Sequence, residues 1–168
     1  MDSQNQCVNI KESLVIFLEM DDIQYSILED SDKRVLIHAT LGFEHGTMGY
    51  YIDYQADFKC LHFRSYSNQY IPVNKRNEVQ TFYSKLNENT THWSTTHLNI
   101  NDGSTFSKSA ILIDDMEELN LEIIRKHFGI NYNNLAHFMG AALKIGFGNY
   151  TSERAYCELF NLENPNLN

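Results

Sequence analysis

The spacing of apolar residues changes several times along this chain, and those changes restrict its fold more than any single motif does. Ile10, Leu14, Phe17 and Leu18 fall at i, i+4, i+7 and i+8, which predicts a helix over 8–20. From Ile23 the period drops to two. Ile23, Tyr25 and Ile27 alternate with polar neighbours, as do Val35, Ile37 and Ala39, and Glu29-Asp30-Ser31-Asp32 between them supplies the turn of a hairpin. Tyr50, Ile52 and Tyr54, then Leu61 and Phe63, predict a second hairpin broken at Gln55-Ala56-Asp57, while the segment from Gly42 to Gly49 reads as a glycine-punctuated connection.

Helical spacing returns after Ile71-Pro72. Val79, Phe82, Tyr83 and Leu86 share one face of a helix expected over 74–87, with Asn74 as its N-cap and Asn87 as its stop. Two further strands are expected over 92–100 and 104–113 around Asn101-Asp102-Gly103, because Asp-Gly suits the positive φ angles of a tight hairpin. Asp114 and Glu117 then form a capping-box pattern that opens a third helix, ended by Gly129. A fourth helix over 132–145 stops at Gly146-Phe147-Gly148-Asn149, and a short last one covers 152–160. Segregated strands and helices mark an α+β domain. The expected fold is an antiparallel sheet of about five to six strands with helices packed mainly on one face.

At 168 residues the chain fits one domain, expected over 8–162, with 1–7 and 163–168 as tails. No apolar run reaches the ~20 residues of a membrane-spanning helix. The start Met1-Asp2-Ser3-Gln4-Asn5-Gln6 lacks the basic and apolar regions of a secretory signal. A cytoplasmic protein without a membrane partner is therefore expected. A net charge of −9 gains nothing from a phosphate backbone, so no nucleic-acid partner is expected either. Cys7, Cys60 and Cys157 are odd in number and far apart, unlike a disulfide framework or a cysteine zinc site.

No constellation rises to chemistry. His92 and His97 are five apart on one predicted strand and so point to opposite faces, and His38 and His45 meet only if a loop folds back. Asp114, Asp115, Glu117 and Glu118 sit where a helix N-terminus favours negative charge without any catalytic role. Asn99-Ile100-Asn101-Asp102-Gly103 has its glycine one place early for a calcium loop, and Ala110 stands where the bidentate Glu belongs. Gly146-Phe147-Gly148 ends a helix rather than opening one, and no GxSxG elbow occurs. The sequence assigns no catalytic residue, no metal ligand and no cofactor, and the chain reads as a non-enzyme.

Aromatic residues are the suggestive feature that is left. Tyr50, Tyr51, Tyr54, Tyr66, Tyr70 and Tyr83 cluster around the second hairpin and the middle helix. Tyrosine buries area while keeping a wet hydroxyl, which suits interfaces. The candidate interface is assigned to Tyr50, Tyr54, Phe63, Tyr66, Tyr70 and Tyr83.

The element order, with Ile71-Pro72 before the middle helix, Arg76, Val79 and Phe82 within it, Leu86-Asn87 at its close, and a hairpin and acidic helix start after it, resembles the YbjN family of bacterial proteins. The resemblance covers roughly 10–145 and rests on structural positions. It implies a fold similar to type III secretion chaperones, commonly paired into dimers. The family is often labelled as sensory-transduction regulators, has no agreed activity, and offers no catalytic residues to carry over. The segment from Tyr150 to Asn168 and the region from Gly42 to Gly49, with its glycines and histidine, depart from it. The function expected is a chaperone-like or adaptor-like module, homodimeric, binding an unidentified protein partner. A small-ligand sensor and an uncharacterised enzyme are the alternatives.

Overall fold

The computed structural model describes residues 3–89, 93–113 and 119–163. Helix α1 (Ser3–Met20) leads into strands β1 (Tyr25–Asp30), β2 (Arg34–Phe43), β3 (Gly46–Gln55) and β4 (Cys60–Tyr70). Helix α2 (Arg76–Asn89), strands β5 (Thr95–Leu98) and β6 (Ser104–Leu112), and helices α3 (Leu121–Phe147) and α4 (Ser152–Leu159) follow. The six strands form one antiparallel sheet in the order β1-β2-β3-β4-β6-β5. The α+β class and the placement of helices on one face are as expected.

Alternation decides which face each strand residue takes. Val35, Ile37, Ala39, Met48, Tyr50, Ile52, Tyr54, Leu61 and Phe63 all turn toward the helices and are buried with Ile10, Leu14, Phe17 and Leu18 of α1 and Ile124 and Leu135 of α3. A second apolar cluster gathers Val79, Phe82, Tyr83 and Leu86 of α2 with Phe138, Ala142 and Ile145 of α3 and Ala155 and Tyr156 of α4. Helix α3 thus belongs to both.

Where α3 crosses β4, β6 and the approach to β5, the buried side chains are polar instead. Ser65, Ser94, Thr96, Thr105, Ser107, Ser109, His127, Asn131 and Asn134 are all buried. The Ser94 and Ser107 hydroxyls lie 2.7 Å apart. Asn131 Nδ2 donates to the Phe63 carbonyl at 3.3 Å, and Asn134 Nδ2 to the Ser94 carbonyl at 3.2 Å. Buried polar groups need such partners, since one left unmade costs roughly 1–3 kcal/mol.

Four expectations are corrected. The stretch from Gly42 to Gly49 is not a long connection. Strands β2 and β3 run through it, pairing Thr40 with Gly49 and Gly42 with Thr47 around a turn at Glu44-His45. Gly129 does not end a helix: α3 runs unbroken past it from Leu121 to Phe147, with Asn120 accepting from the Glu122 N–H as its N-cap. Tertiary packing on both clusters overrides the weak local helix penalty of one glycine. The capping-box reading at Asp114 to Glu117 lies outside the described residues. The Asp-Gly pair makes a longer loop than a two-residue turn, with only Gly103 at positive φ (83°). There Gly103 N–H donates to Asn99 O, and Asn99 N–H to Ser104 O. Finally, α2 opens with a 3-10 turn at Val73–Lys75 rather than with Asn74 as its cap.

Candidate functional site on the open sheet face

The sheet face turned away from the helices takes the residues of opposite parity. Arg34, Leu36 and His38 come from β2, Gly49, Tyr51 and Asp53 from β3, and His62, Arg64 and Tyr66 from β4; Phe106 and Lys108 come from β6 and Thr95 and His97 from β5. Apart from Asp53, these side chains are half-buried or exposed.

Register sets them in two adjacent rungs across five strands. One reads His38, Tyr51, Arg64, Lys108, Thr95; the next reads Thr40, Gly49, Tyr66, Phe106, His97. Rings from both rungs touch in an unbroken row. Centroids are 4.8 Å apart for His38–Tyr51, 5.7 Å for Tyr51–Tyr66, 5.6 Å for Tyr66–Phe106 and 5.3 Å for Phe106–His97. Two coplanar rings meeting edge to edge need about 6.5 Å between centroids, given carbon contacts near 3.7 Å. The last two pairs, tilted by 28° and 25°, are closer than that, so their faces overlap. Overlap of two faces leaves the ring edges for other contacts, and ring edges are the positive part of the quadrupole.

Charge on this face is unevenly matched. Arg34 holds Asp53 in a two-point pair, Nε to Oδ1 at 2.8 Å and Nη2 to Oδ2 at 3.1 Å, and its Nη1 reaches Glu29 at 3.1 Å. Gln55 Nε2 adds a third donor to Asp53 at 2.9 Å. Burial alone would raise the Asp53 carboxyl, but the donors from Arg34 and Gln55 outweigh it and hold the group below the usual aspartate range. Arg64 and Lys108, by contrast, stand directly opposite each other on neighbouring strands, and neither makes an ion pair among the described residues. The flanking His62 and His97 are held below the usual histidine range, by burial first and then by Arg64 and Lys108 respectively. A ring nitrogen of His97 lies 2.8 Å from Thr95 Oγ1.

A shallow hollow of about 310 Å3 opens within this face, lined by Arg34, Leu36, Gly49, Tyr51, Asp53, Arg64 and Tyr66. Gly49 adds no side chain to the hollow, and a Cβ there would make ordinary contacts of 3.5 Å with His38 Nε2 and Tyr51 Cε2. A second cleft, about 610 Å3, lies between the β2–β3 turn and helices α3 and α4, where Glu44, His45, His137 and Glu158 meet. Lys144 is paired with Glu158 there. Among the described residues no group of three or more His, Cys, Asp or Glu side chains is placed to hold a metal ion. His92 lies outside the described residues.

Of the six aromatic residues assigned from sequence, the structure brings one into the row. Tyr66 lies in it, and Tyr70 is exposed near the end of the same strand. Tyr50, Tyr54, Phe63 and Tyr83 are buried in the interior and cannot meet a partner of the folded chain. Tyr50, Tyr54 and Phe63 share the parity of Ile52 and Leu61, which the helices cover, and Tyr83 lies on the inner side of α2. Tyr51, Phe106, His97 and the cations Arg64 and Lys108, which share the open face with Tyr66, were not among the six. The alternation that assigned Tyr50 to one face already sends Tyr51 to the other.

No protein-family model matches the chain, and no curated protein matches it. Two solved structures share its fold. One is ExsC in the ExsC–ExsE complex, 16% identical, with a TM-score of 0.55, covering 83% of this chain and 96% of that one. The other is YbjN from E. coli, 10% identical, with a TM-score of 0.54, covering 77% of this chain and 90% of that one. The likenesses bear out the expected fold, that of type III secretion chaperones and of YbjN. No helix among the described residues is long and apolar enough to cross a membrane.

Proposed function

We propose that this chain is a chaperone-like or adaptor-like protein-binding module without catalysis of its own, and that its open sheet face takes the partner. The row of five rings from His38 to His97 carries this reading. An aromatic row with an arginine beside it, on a sheet face that no described helix covers, has the composition of an interface centre rather than of an ordinary solvated surface. The fold supports it: ExsC was solved bound to ExsE, and YbjN is a proposed transcription regulator. In this reading the chain works in the cytoplasm as a homodimer. Exposed apolar side chains away from the rings, such as Val73, Phe147 and Tyr70 at 76, 63 and 60% exposure, supply surface for self-association.

A photo-crosslinking amino acid placed at Tyr66 in cells, with a control at Ile16 on the outer side of α1, tests the reading. A discrete adduct with another protein at position 66, absent at 16, is the expected result. No adduct at 66, or the same adducts at both positions, sinks it.

A further inference from the structure

The chemistry of the open face also says what kind of segment it takes. We propose that the occupant is an extended, acidic stretch of a partner protein, laid across the strands so that its apolar side chains meet the rings and its carboxylates bridge Arg64 and Lys108. This inference rests on the protein-binding reading and adds the chemistry of the partner.

Three observations converge on it. First, Arg64 and Lys108 are directly opposed like charges, and neither has an ion-pair partner among the described residues, an arrangement that destabilises a bare sheet. A carboxylate between them would remove that repulsion and gain two charge-assisted hydrogen bonds. The chain as a whole carries −9, so two neighbouring cations without an ion pair among the described residues run against its overall charge. The carboxylate of Asp53 is already committed to Arg34.

Second, the rungs are amphipathic as a pair. One carries Arg64 and Lys108 beside Tyr51 and His38, and its neighbour carries Tyr66 and Phe106. Adjacent rungs lie about 7 Å apart, two residues along a strand, and five strands at ~4.8 Å spacing span about 19 Å. A segment of about six extended residues covers that distance.

Third, the overlap of Tyr66, Phe106 and His97 leaves more of their edges than of their faces for an occupant, and ring edges favour carboxylates and carbonyls. The same overlap disfavours single-stranded nucleic acid, whose bases need free ring faces to stack on. A second copy of this chain apposed on the face would set the same cations against each other.

Fluorescence anisotropy with the full chain tests this, using labelled eight-residue peptides of alternating Glu and Phe, Gln and Phe, and Lys and Phe, and an eight-nucleotide uridine oligomer. The Glu peptide is expected to bind at least tenfold more tightly than the Gln peptide, with the Lys peptide and the oligomer weaker still. The double variant Arg64→Glu, Lys108→Glu should abolish that preference while keeping the parent circular dichroism melt. Tyr66→Ala should weaken the Glu and Gln peptides alike. Equal binding of Glu and Gln peptides, tighter binding of the oligomer, or conversion of a dimer to a monomer by the charge-reversal variant overturns the proposal. A position-66 adduct whose crosslinked segment lacks acidic residues also overturns it, while leaving the protein-binding reading in place.

Discussion

The guanidinium of Arg76 lies against Gly103 so closely that a Cβ on the glycine would come within 2.9 Å of Arg76 Nε and 2.3 Å of the Ile71 carbonyl. Arg76 donates to four carbonyls: Ile71 at 3.1 Å, Ile100 at 3.0 Å, Asn101 at 2.7 Å and Asp102 at 2.9 Å. One side chain at the start of α2 therefore shapes the β5–β6 loop, and that loop sets the register of His97 against Phe106.

Gly103→Ala should cost about 2 kcal/mol or more, because it adds both the clash and an alanine at φ 83°. Arg76→Ala should cost roughly 1–3 kcal/mol, chiefly through the half-buried Ile71 carbonyl left without its donor, since water can reach the exposed carbonyls of Ile100, Asn101 and Asp102. Arg76→Lys should recover little, since an ammonium cannot reproduce the planar fork. Urea unfolding measures all three; wild-type stability in Gly103→Ala would contradict the placement of this loop.

Gly129 gives a prediction of opposite sign. It sits within α3, and a Cβ there meets nothing within 4 Å. Gly129→Ala should stabilise the fold by about 0.5–1 kcal/mol, whereas Gly129→Pro should cost about 3 kcal/mol or more. Thermal melts of the two variants moving the same way would show that the helix breaks there after all.

The aromatic residues sort by face. Phe63→Ala should cost about 3–5 kcal/mol as a core truncation. Tyr50→Phe should cost about 0.5–1.5 kcal/mol for the hydrogen bond its hydroxyl donates to Phe128 O at 3.1 Å. Tyr66→Ala should leave the core packed and be read out in partner binding instead. Equal losses of stability at positions 63 and 66 would erase the distinction between the two faces.

Acid should weaken the fold through His127. Its ring is buried, stacked at 6.0 Å on Phe63 and 5.2 Å from Trp93, and burial first, then Lys126, hold it below the usual histidine range. A histidine whose folded value is depressed binds its proton more readily when unfolded. Stability should therefore be intact above the unfolded value near 6.5 and fall as pH drops from there through the folded value. His127→Gln should flatten the melting temperature between pH 7.5 and 5.5, after allowance for His62 and His97, which shift the same way. An unchanged pH slope in that variant would assign the effect elsewhere.

Much of this architecture was legible because it depends on period. Ile10 to Leu18 announced α1, Val79 to Leu86 announced α2, and the alternations at Val35 and Tyr50 announced paired strands. What failed had a common cause, since local signals compete with distant packing. Gly42 and Gly49 look like loop residues until Thr47 and Thr40 pair with them. Gly129 looks like a stop until apolar clusters claim the helix on both sides of it. The site was half legible. Period two shows that Tyr50 and Tyr51 face opposite ways, but with aromatics on both faces it does not say which one the helices cover.

The serine and asparagine layer under α3 has a mechanical consequence for the opposite side of the sheet. Apolar contacts are non-directional and, apart from shape fit, indifferent to a slip of one helical turn, about 5.4 Å. The carboxamides of Asn131 and Asn134 are not: each has a single carbonyl to find, on Phe63 and Ser94. They act as a detent that admits one position of the helix along its axis. The strand that carries Phe63 inward carries Arg64 and Tyr66 outward, so the open face of the sheet is indexed by two amides it never touches.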